Sequence, residues 1–196
     1  LVGRTGRSFN RPETLEFFVG NKNYSRREAD KLFSHEIVHI FRAVNGNSQP
    51  EALRPLFASG LPGYDATEEG LAVNAERLSG FSNAASQRLY AARVVAAAMA
   101  IEEATFRQTF EALRLLGLSD DQAWKRALGV YRAGGFIKDH IYLQGEGLVG
   151  DFLADGGDPS ALFAGKIGLQ HLQIVDQLAQ EGLIVAARHV PACFAR

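Results

Sequence analysis

The sequence lacks the features that mark disulfide-stabilised, nucleic-acid-binding or membrane-spanning proteins. Cys193 is its single cysteine, which excludes an intrachain disulfide framework and is typical of a reducing compartment, so we expect a cytoplasmic protein. A net charge of −1 argues against nucleic acid or an anionic membrane as the principal partner. No apolar run reaches the length of a membrane span, and no secretory signal opens the sequence. The oligomeric state is left open by these observations.

The length and the apolar pattern favour one mainly helical domain. A chain of 196 residues can bury a core of its own, and one domain over 1–196 is the default. Apolar residues recur at helical spacing along most of the chain, whereas alternation within 1–19 suggests two short strands around Arg11-Pro12-Glu13. We expect a mainly α fold, of the α+β kind, with a small N-terminal β element. Because the sequence begins at Leu1 rather than methionine, we also expect a fragment of a longer protein.

Capping and breaking residues set the expected bounds of the helices. Ser25 and Glu28 form a capping-box pattern that begins the first helix, and Asn45-Gly46 supplies a stop signal. The Gly-, Pro-, Asn- and Ser-rich stretch from Asn45 to Asp65 predicts a long ordered loop, of a kind that is often functional. Further helices are expected at about 65–80, 84–104, 105–116, 119–133, 138–154 and 169–180.

Two histidines four residues apart are the most informative feature of the sequence. His35 and His39 flank Glu36 in an H-E-x-x-H pattern. On a helix both imidazoles point the same way and can bind one metal ion, with the glutamate beside any water on that metal. The apolar stripe of this helix runs along its other side, so a pair of core histidines is not expected. Two solvated histidines on an ordinary amphipathic helix are the alternative interpretation.

A carboxylate from a second helix would complete a site with three protein ligands and one open position, as catalytic zinc requires. Glu68 and Glu69 are the candidates, and in a helix that begins near Thr67 neither acid lies on a decisively better face. The residues alone leave the choice open. The other acid would then form a hydrogen bond that orients a metal ligand, or its charge would interact with the helix N-terminus. Both acids could instead be favourable surface charges in a first helical turn.

Such a site would favour hydrolysis of an amide. Imidazole and carboxylate groups bind Zn²⁺ at about 2.0–2.2 Å, and bound zinc lowers the pKa of water from about 15.7 to about 7. Glu36 would take a proton from that water and pass it to the leaving amine. The motif therefore predicts a zinc metallopeptidase with His35 and His39 as ligands and Glu36 as the general base.

Seven segments between Ser25 and Phe194 carry a resemblance to a known family. They are His35-Glu36-Ile37, Phe41-Arg42-Ala43-Val44-Asn45-Gly46, Gln49-Pro50, Thr67-Glu68-Glu69-Gly70-Leu71-Ala72, Thr105-Phe106-Arg107-Gln108, Lys138-Asp139-His140-Ile141-Tyr142-Leu143 and Gly165-Lys166-Ile167. In these segments the chain resembles the microtubule-associated tyrosine carboxypeptidase family. Its bacterial relatives are described as flavohemoglobin expression-modulating proteins with a Gln-Glu-Gly-Leu-Ala motif.

The resemblance implies a zinc-dependent peptidase that removes a C-terminal residue, in the eukaryotic members the terminal tyrosine of α-tubulin. It implies that the third ligand is Glu69, the acid before the glycine of the motif, while Glu68 replaces the glutamine. The family's domain is longer at its N-terminus, so the chain would be its C-terminal part. The family usually has three residues between the motif glutamate and the second histidine, whereas this chain has two. An ordinary α-helix accommodates the shorter spacing without a π-bulge. The shorter spacing does put in doubt whether substrate binds here with the same geometry as in other family members.

A carboxypeptidase needs a group that binds the terminal carboxylate of its substrate, best an arginine that donates two hydrogen bonds. We expect Arg132 in this role, with Lys138 as the second candidate. Each could equally be an ordinary surface cation.

Three polar side chains are further candidates. Tyr142 could donate its hydroxyl to the oxyanion of the tetrahedral intermediate, or be buried with that hydroxyl on a backbone carbonyl. Asn45 and Gln49 could line the cleft and contact substrate, or merely cap and turn the chain.

The expected protein is a zincin-like, mainly helical metallopeptidase domain that holds one Zn²⁺ through His35, His39 and Glu69. Its expected partner is the C-terminus of a peptide or protein. Tubulin is not expected, because the chain has no evident basic extension that would bind microtubules. The alternative keeps the fold without catalysis, as a zinc-binding regulatory module that acts on another protein. Hydrolysis of a non-peptide amide is a third possibility.

Overall fold

The structure is a computed structural model that describes residues 9–11, 14, 16–19, 23–132 and 140–195. The chain forms two compact units. One contains the chain up to Phe81 and from Gly145 onward, and the other is Ser82–Gln144. None of the helices in the described ranges has both the length and the apolar character that crossing a membrane requires.

Helices dominate the described residues. Two short strands, β1 (Phe9–Arg11) and β2 (Glu16–Phe18), pair antiparallel with Phe9 opposite Phe18. In chain order the helices are α1 (Arg26–Asn47), α2 (Arg54–Ser59), α3 (Tyr64–Leu78), α4 (Ala84–Ile101), α5 (Phe106–Leu115), α6 (Asp120–Arg132), α7 (Ile141–Ala154) and α8 (Leu172–Gln180). Short 3₁₀ helices lie at Pro159–Phe163 and Leu169–His171. The predicted mainly α fold with a small N-terminal β element is confirmed.

Helix α1 begins where the sequence predicts. The Ser25 hydroxyl accepts a hydrogen bond from the backbone N–H of Glu28, and the Glu28 carboxylate accepts one from the Ser25 N–H at 2.8 Å. This reciprocal pair is the capping box expected from the sequence, and it satisfies two N–H groups that a helix terminus otherwise leaves unpaired.

The predicted end of α1 at Asn45-Gly46 is wrong, because the helix continues to Asn47. Gly46 does not end the helix but allows the backbone of α2 to approach α1 closely. A Cβ at Gly46 would lie 2.4 Å from the backbone oxygen of Phe57 in α2, so only glycine lets the two helices pack this closely. The predicted loop from Asn45 to Asp65 therefore contains the end of one helix and the whole of another.

The core of the first unit lies between α1, α3, the part of α7 from Gly145 onward and the C-terminal segment. Its fully buried members include Val38, Leu71, Ala72, Val149, Leu162, Phe163 and Ile167. Helices α3 and α7 cross at two glycines. A Cβ on Gly70 would lie 2.2 Å from the Gly145 backbone oxygen, and a Cβ on Gly145 would lie 2.0 Å from that of Ala66. Since Glu69 precedes Gly70, this crossing fixes the backbone that carries Glu69.

The second unit is a cluster of α4, α5 and α6. Its core contains the buried side chains of Ala92, Ala96, Leu113, Leu118, Ala123, Ala127 and Val130. Helix α4 ends at Ile101, before the predicted bound near Ala104, and is buried along one face only. The turn predicted at Pro12 and Glu13 lies outside the described residues. One domain over 1–196 stays a prediction.

Candidate metal centre

Helices α1 and α3 pack against each other and bring three side chains to one point. Nε2 of His35 lies 3.4 Å from Oε2 of Glu69, and Nε2 of His39 lies 3.9 Å from the same oxygen. One donor atom from each of the three residues lies within 4.8 Å of the other two. Ligands at about 2.0–2.1 Å from a tetrahedral zinc ion are about 3.3 Å apart. The two distances to Oε2 of Glu69 are therefore close to those that one ion would set.

These three groups are mostly buried. The side chains of His35, His39 and Glu69 are 13%, 15% and 19% exposed. Oε2 of Glu69 is buried and has no hydrogen-bond partner among the described residues. A buried carboxylate oxygen without a hydrogen bond is unfavourable. Its ion-pair contact with His35 at 3.4 Å offsets part of this cost, and a cation bound between the oxygen and the two imidazoles would take the place of that contact. The donor set and its geometry therefore fit a zinc ion.

Two further carboxylates hold the imidazole rings. Oε1 of Glu76 is 2.9 Å from Nδ1 of His35, and Oε1 of Glu68 is 2.9 Å from Nδ1 of His39. An ionised carboxylate only accepts hydrogen bonds, so the proton of each neutral imidazole lies on Nδ1 and leaves Nε2 for a metal. Carboxylates behind the rings are typical of metal-binding histidines. Glu69 thus faces both Nε2 atoms, while Glu68 lies behind His39.

Arg42, also on α1, holds Glu68 in place. Nη1 donates to Oε2 of Glu68 at 3.0 Å, and the arginine side chain is completely buried. Burial alone raises the pKa of Glu68, but Arg42 and then His39 outweigh it and lower that pKa below its ordinary value. Nε donates to the backbone carbonyls of Leu162 and Gly165, and Nη2 donates to that of Ile167. The Arg42 guanidinium therefore connects Glu68, which orients His39, to the backbone of 162–167.

The charges of the cluster suit a divalent cation. Burial by itself lowers the pKa of His35, but the carboxylates of Glu69 and Glu76 outweigh it and raise that pKa from 6.5 to about 9. Burial raises the pKa of Glu69, yet His35 and His39 outweigh it and bring the value below the ordinary one. Glu69 is therefore ionised at neutral pH. Before a metal binds, a proton on His35 provides part of the opposing positive charge.

A cavity of about 240 Å³ opens beside the cluster. His39, Glu68 and Glu69 form part of its wall, and the other lining residues are Ala43, Tyr64, Asp65 and Lys166. Glu36 follows His35 on α1 and is half-buried. Lys166 was not among the site residues predicted from the sequence. Its signal in the sequence is Gly165-Lys166-Ile167, one of the segments that carry the family resemblance.

The side chains of Asn45 and Gln49 are buried in the core and form hydrogen bonds with the backbone of the C-terminal segment. Nδ2 of Asn45 donates to the carbonyls of Phe163 and His189 at 2.8 Å each, and Oδ1 accepts from the backbone N–H groups of 188–189 at 3.2 Å. Gln49 joins backbone groups of the same two stretches of chain. These contacts engage both amides with backbone groups. These bonds give Asn45 and Gln49 a structural role, and the substrate contacts predicted for them stay predictions.

The remaining predicted site residues belong to the second unit or lie outside the described residues. The ring of Tyr142 stacks on that of Tyr90 with 5.8 Å between centroids, and Arg93 lies 4.2 Å above the Tyr142 ring. Arg132 is the exposed last residue of α6. Lys138 lies outside the described residues. The roles predicted for Tyr142, Arg132 and Lys138 stay predictions.

Comparison with protein families gives one match that covers nearly the whole chain. The profile of the family described as microtubule-associated tyrosine carboxypeptidase matches residues 19–196. Neither the curated proteins nor the solved structures contain a significant match to the chain. All residues of the candidate metal centre lie within the matched range.

Proposed function

Since the chain belongs to the microtubule-associated tyrosine carboxypeptidase family, we propose that it is a zinc-dependent carboxypeptidase acting on the C-terminus of a peptide or protein. His35, His39 and Glu69 would hold the Zn²⁺, and Glu36 would act as general base. The family description supports the carboxypeptidase class. The metal and its ligands are inferred from the cluster of side chains on α1 and α3, and the base is inferred from the H-E-x-x-H sequence motif.

The observation that carries the proposal is the position of one oxygen. Oε2 of Glu69 is buried without a hydrogen bond among the described residues, 3.4 Å and 3.9 Å from the Nε2 atoms of His35 and His39. Two nitrogens and one oxygen are the donor set of catalytic zinc sites with two histidines and a glutamate. Three protein ligands leave a fourth position for water or substrate.

The residues of the cluster would divide the chemical work. When bound, zinc supplies Lewis acidity, which lowers the pKa of water to about 7 and polarises the scissile carbonyl. Glu36 accepts a proton from the attacking water and returns it to the leaving amine. Glu76 and Glu68 retain the Nδ1 protons of His35 and His39, so both Nε2 atoms stay directed into the site.

The helix geometry supports the shorter spacing of the two histidines. α1 is a regular α-helix through His35–His39, and residues four apart on such a helix lie on one face. Both imidazoles therefore reach Glu69 without a local distortion of the helix. The two-residue gap between Glu36 and His39 is compatible with the proposed site.

The proposal is tested by turnover with and without the base. The zinc-loaded parent and a Glu36→Gln variant are incubated with acetylated peptides that differ in their last residue, and released amino acids are measured by mass spectrometry. We expect the parent to release one C-terminal residue, and the variant to be slower by at least about 10²-fold, a typical loss for a missing general base. Glu51→Gln, at an exposed glutamate of the same unit, is the matched control and should keep the parent rate.

Each other outcome contradicts a different part of the proposal. Full zinc occupancy without release of any residue by the parent would favour the zinc-binding regulatory module. Equal rates for the parent and Glu36→Gln would remove Glu36 from the role of base. A parent that binds no zinc from a zinc-containing buffer would refute the metal centre itself.

A further inference from the structure

The cavity beside the cluster has one lysine in its wall, Lys166. Lys166 is half-buried, and its Nζ lies 5.9 Å from the centroid of the Tyr64 ring. Across the residues that the structure describes, no carboxylate lies within ion-pairing distance of this ammonium group. Lys166 is still close enough for its charge to help lower the pKa of Glu68, after the larger effects of Arg42 and His39. A cation at the cavity wall is thus left available for a ligand.

The backbone fixes the point from which this side chain extends. The Lys166 N–H donates to the carbonyl of Phe57 at 2.7 Å, and the Lys166 carbonyl accepts from the N–H of Leu61 at 3.1 Å. The carbonyls on either side of Lys166, those of Gly165 and Ile167, accept from Arg42. Arg42 also holds Glu68. The same guanidinium therefore positions both the lysine and the carboxylate that orients His39.

The rest of the cavity indicates what would bind. Asp65, Glu68 and Glu69 make much of the wall acidic, and Lys166 is the one lysine or arginine among the described lining residues. Its volume of about 240 Å³ is below the roughly 300–1,000 Å³ of pockets that hold drug-sized ligands. A space of this size suits one terminal residue better than a longer segment. A carboxylate is the group of that residue that would pair with the lysine.

We propose that Lys166 binds the terminal α-carboxylate of the substrate and thereby makes the site specific for free C-termini. The inference rests on the proposed function, and it gives Lys166 the role predicted from the sequence for Arg132 or Lys138. A substrate that ends in an amide would lack the negative charge that pairs with Lys166.

Binding tests the inference without turnover. The full chain with Glu36→Gln, loaded with zinc, is titrated in a calorimeter with acetyl-Ala-Ala-Tyr as the free acid and as its C-terminal amide. We expect the acid to bind more tightly than the amide. Adding Lys166→Met should weaken binding of the acid by about ten- to hundredfold, the value of a hydrogen bond between charged groups. Binding of the amide and the zinc content should not change.

Two control variants make the result specific. Lys166→Arg keeps the positive charge and should retain part of the preference for the acid. Lys125→Met removes an exposed lysine of α6 and should bind both peptides like the parent. Because backbone groups hold Lys166 in place, the melting temperature of Lys166→Met should match that of the parent.

The outcomes separate the inference from the proposed function. If Lys166→Met binds the free acid as tightly as the parent, the inference is overturned, including the case in which the metal takes the carboxylate. An equal kcat/KM of the two proteins with Glu36 intact would leave the carboxypeptidase standing and remove Lys166 from it. Binding that depends on Lys166, without release of any residue, would instead refute the carboxypeptidase and leave a module that recognises C-termini.

Discussion

Arg42 and Glu68 form a buried ion pair whose two ends serve different parts of the first unit. Nη1 of the arginine donates to Oε2 of the glutamate at 3.0 Å, and 0% of the arginine side chain is exposed. Oε1 of the glutamate accepts from Nδ1 of His39, while Nε and Nη2 of the arginine donate to backbone carbonyls within 162–167. The orientation of a proposed metal ligand and the placement of Lys166 thus depend on the same pair.

Replacing Arg42 with methionine should strongly destabilise the protein. The change leaves Glu68 charged and buried without its cation, and we expect the free energy of unfolding to fall by about 3–5 kcal/mol. Urea denaturation of the zinc-free protein measures it. Adding Glu68→Gln should recover part of the loss, because the unpaired charge is then gone. Losses that simply add in the double-mutant cycle would show that the two side chains are not coupled.

Glu69 and Glu68 should differ in their effect on zinc affinity. Glu69→Gln should remove most of the affinity, because Oε2 of Glu69 faces both Nε2 atoms. Glu68→Gln should lower it by about 10–100-fold, as expected for a residue that orients a ligand. Competition with a chelator of known affinity gives both values, and Glu111→Gln on the surface of α5 is the control. The reverse order of losses would exchange the roles of the two acids.

Zinc binding should release a proton and tighten as the pH rises. In the metal-free protein the pKa of His35 is raised to about 9, so this imidazole is protonated at neutral pH and zinc must displace the proton. The apparent zinc affinity should therefore increase up to about pH 9. Calorimetry at about pH 7.5 in buffers of different ionisation enthalpy should show about one proton released by His35. An affinity independent of pH between about 6 and 9 would contradict this.

The same pKa predicts how the stability of the metal-free protein depends on pH. Because the folded pKa lies above the ordinary value of 6.5, protonated His35 stabilises the folded state. This contribution is complete below about pH 6.5 and is lost as the pH rises through about 9. Thermal unfolding of the metal-free parent and of His35→Gln across this range measures it, and the difference between them should shrink at high pH.

The crossing of α3 and α7 should tolerate no side chain at Gly145. An added Cβ would lie 2.0 Å from the backbone oxygen of Ala66, so Gly145→Ala must push the helices apart. We expect a loss of about 1–3 kcal/mol of stability. Gly147 lies on the same helix with nothing within 4 Å of an added Cβ, and Gly147→Ala should stabilise by about 0.5–1 kcal/mol. Chemical denaturation compares them, and equal effects would refute the close crossing.

Local spacing was enough to predict that α1 begins after Ser25 and that His35 and His39 lie on one face of it. Ser25 and Glu28 lie three residues apart, and His35 and His39 lie four apart, so helical geometry alone relates the members of each pair. The structure forms the capping box and turns both imidazoles toward Glu69. The choice of Glu69 over Glu68 came from the family resemblance, because the faces of a helix not yet placed in space could not distinguish the two acids.

Contacts between distant parts of the chain could not be predicted in this way. Gly46 was interpreted as a stop signal, since a sequence does not show that the backbone of Phe57 packs on it. The hydrogen bond of Glu76 to His35 and the position of Lys166 depend on how helices and a loop pack. The backbone carbonyls that Arg42 contacts lie more than a hundred residues later in the chain, and Glu68 lies 26 residues later, so local spacing does not relate them.

The stretch 183–195 contains no helix or strand, yet the side chains of Asn45, in α1, and Gln49, just after α1, bind several of its backbone groups. The backbone N–H groups of Val185, Arg188 and His189 donate hydrogen bonds to the side-chain oxygens of Gln49 and Asn45. Slow hydrogen–deuterium exchange in this tail would therefore report on the integrity of the helix that bears the histidines. Proteolytic cleavage after Gln180 would let this segment detach from Asn45 and Gln49. The loss of these hydrogen bonds would loosen the C-terminal end of α1.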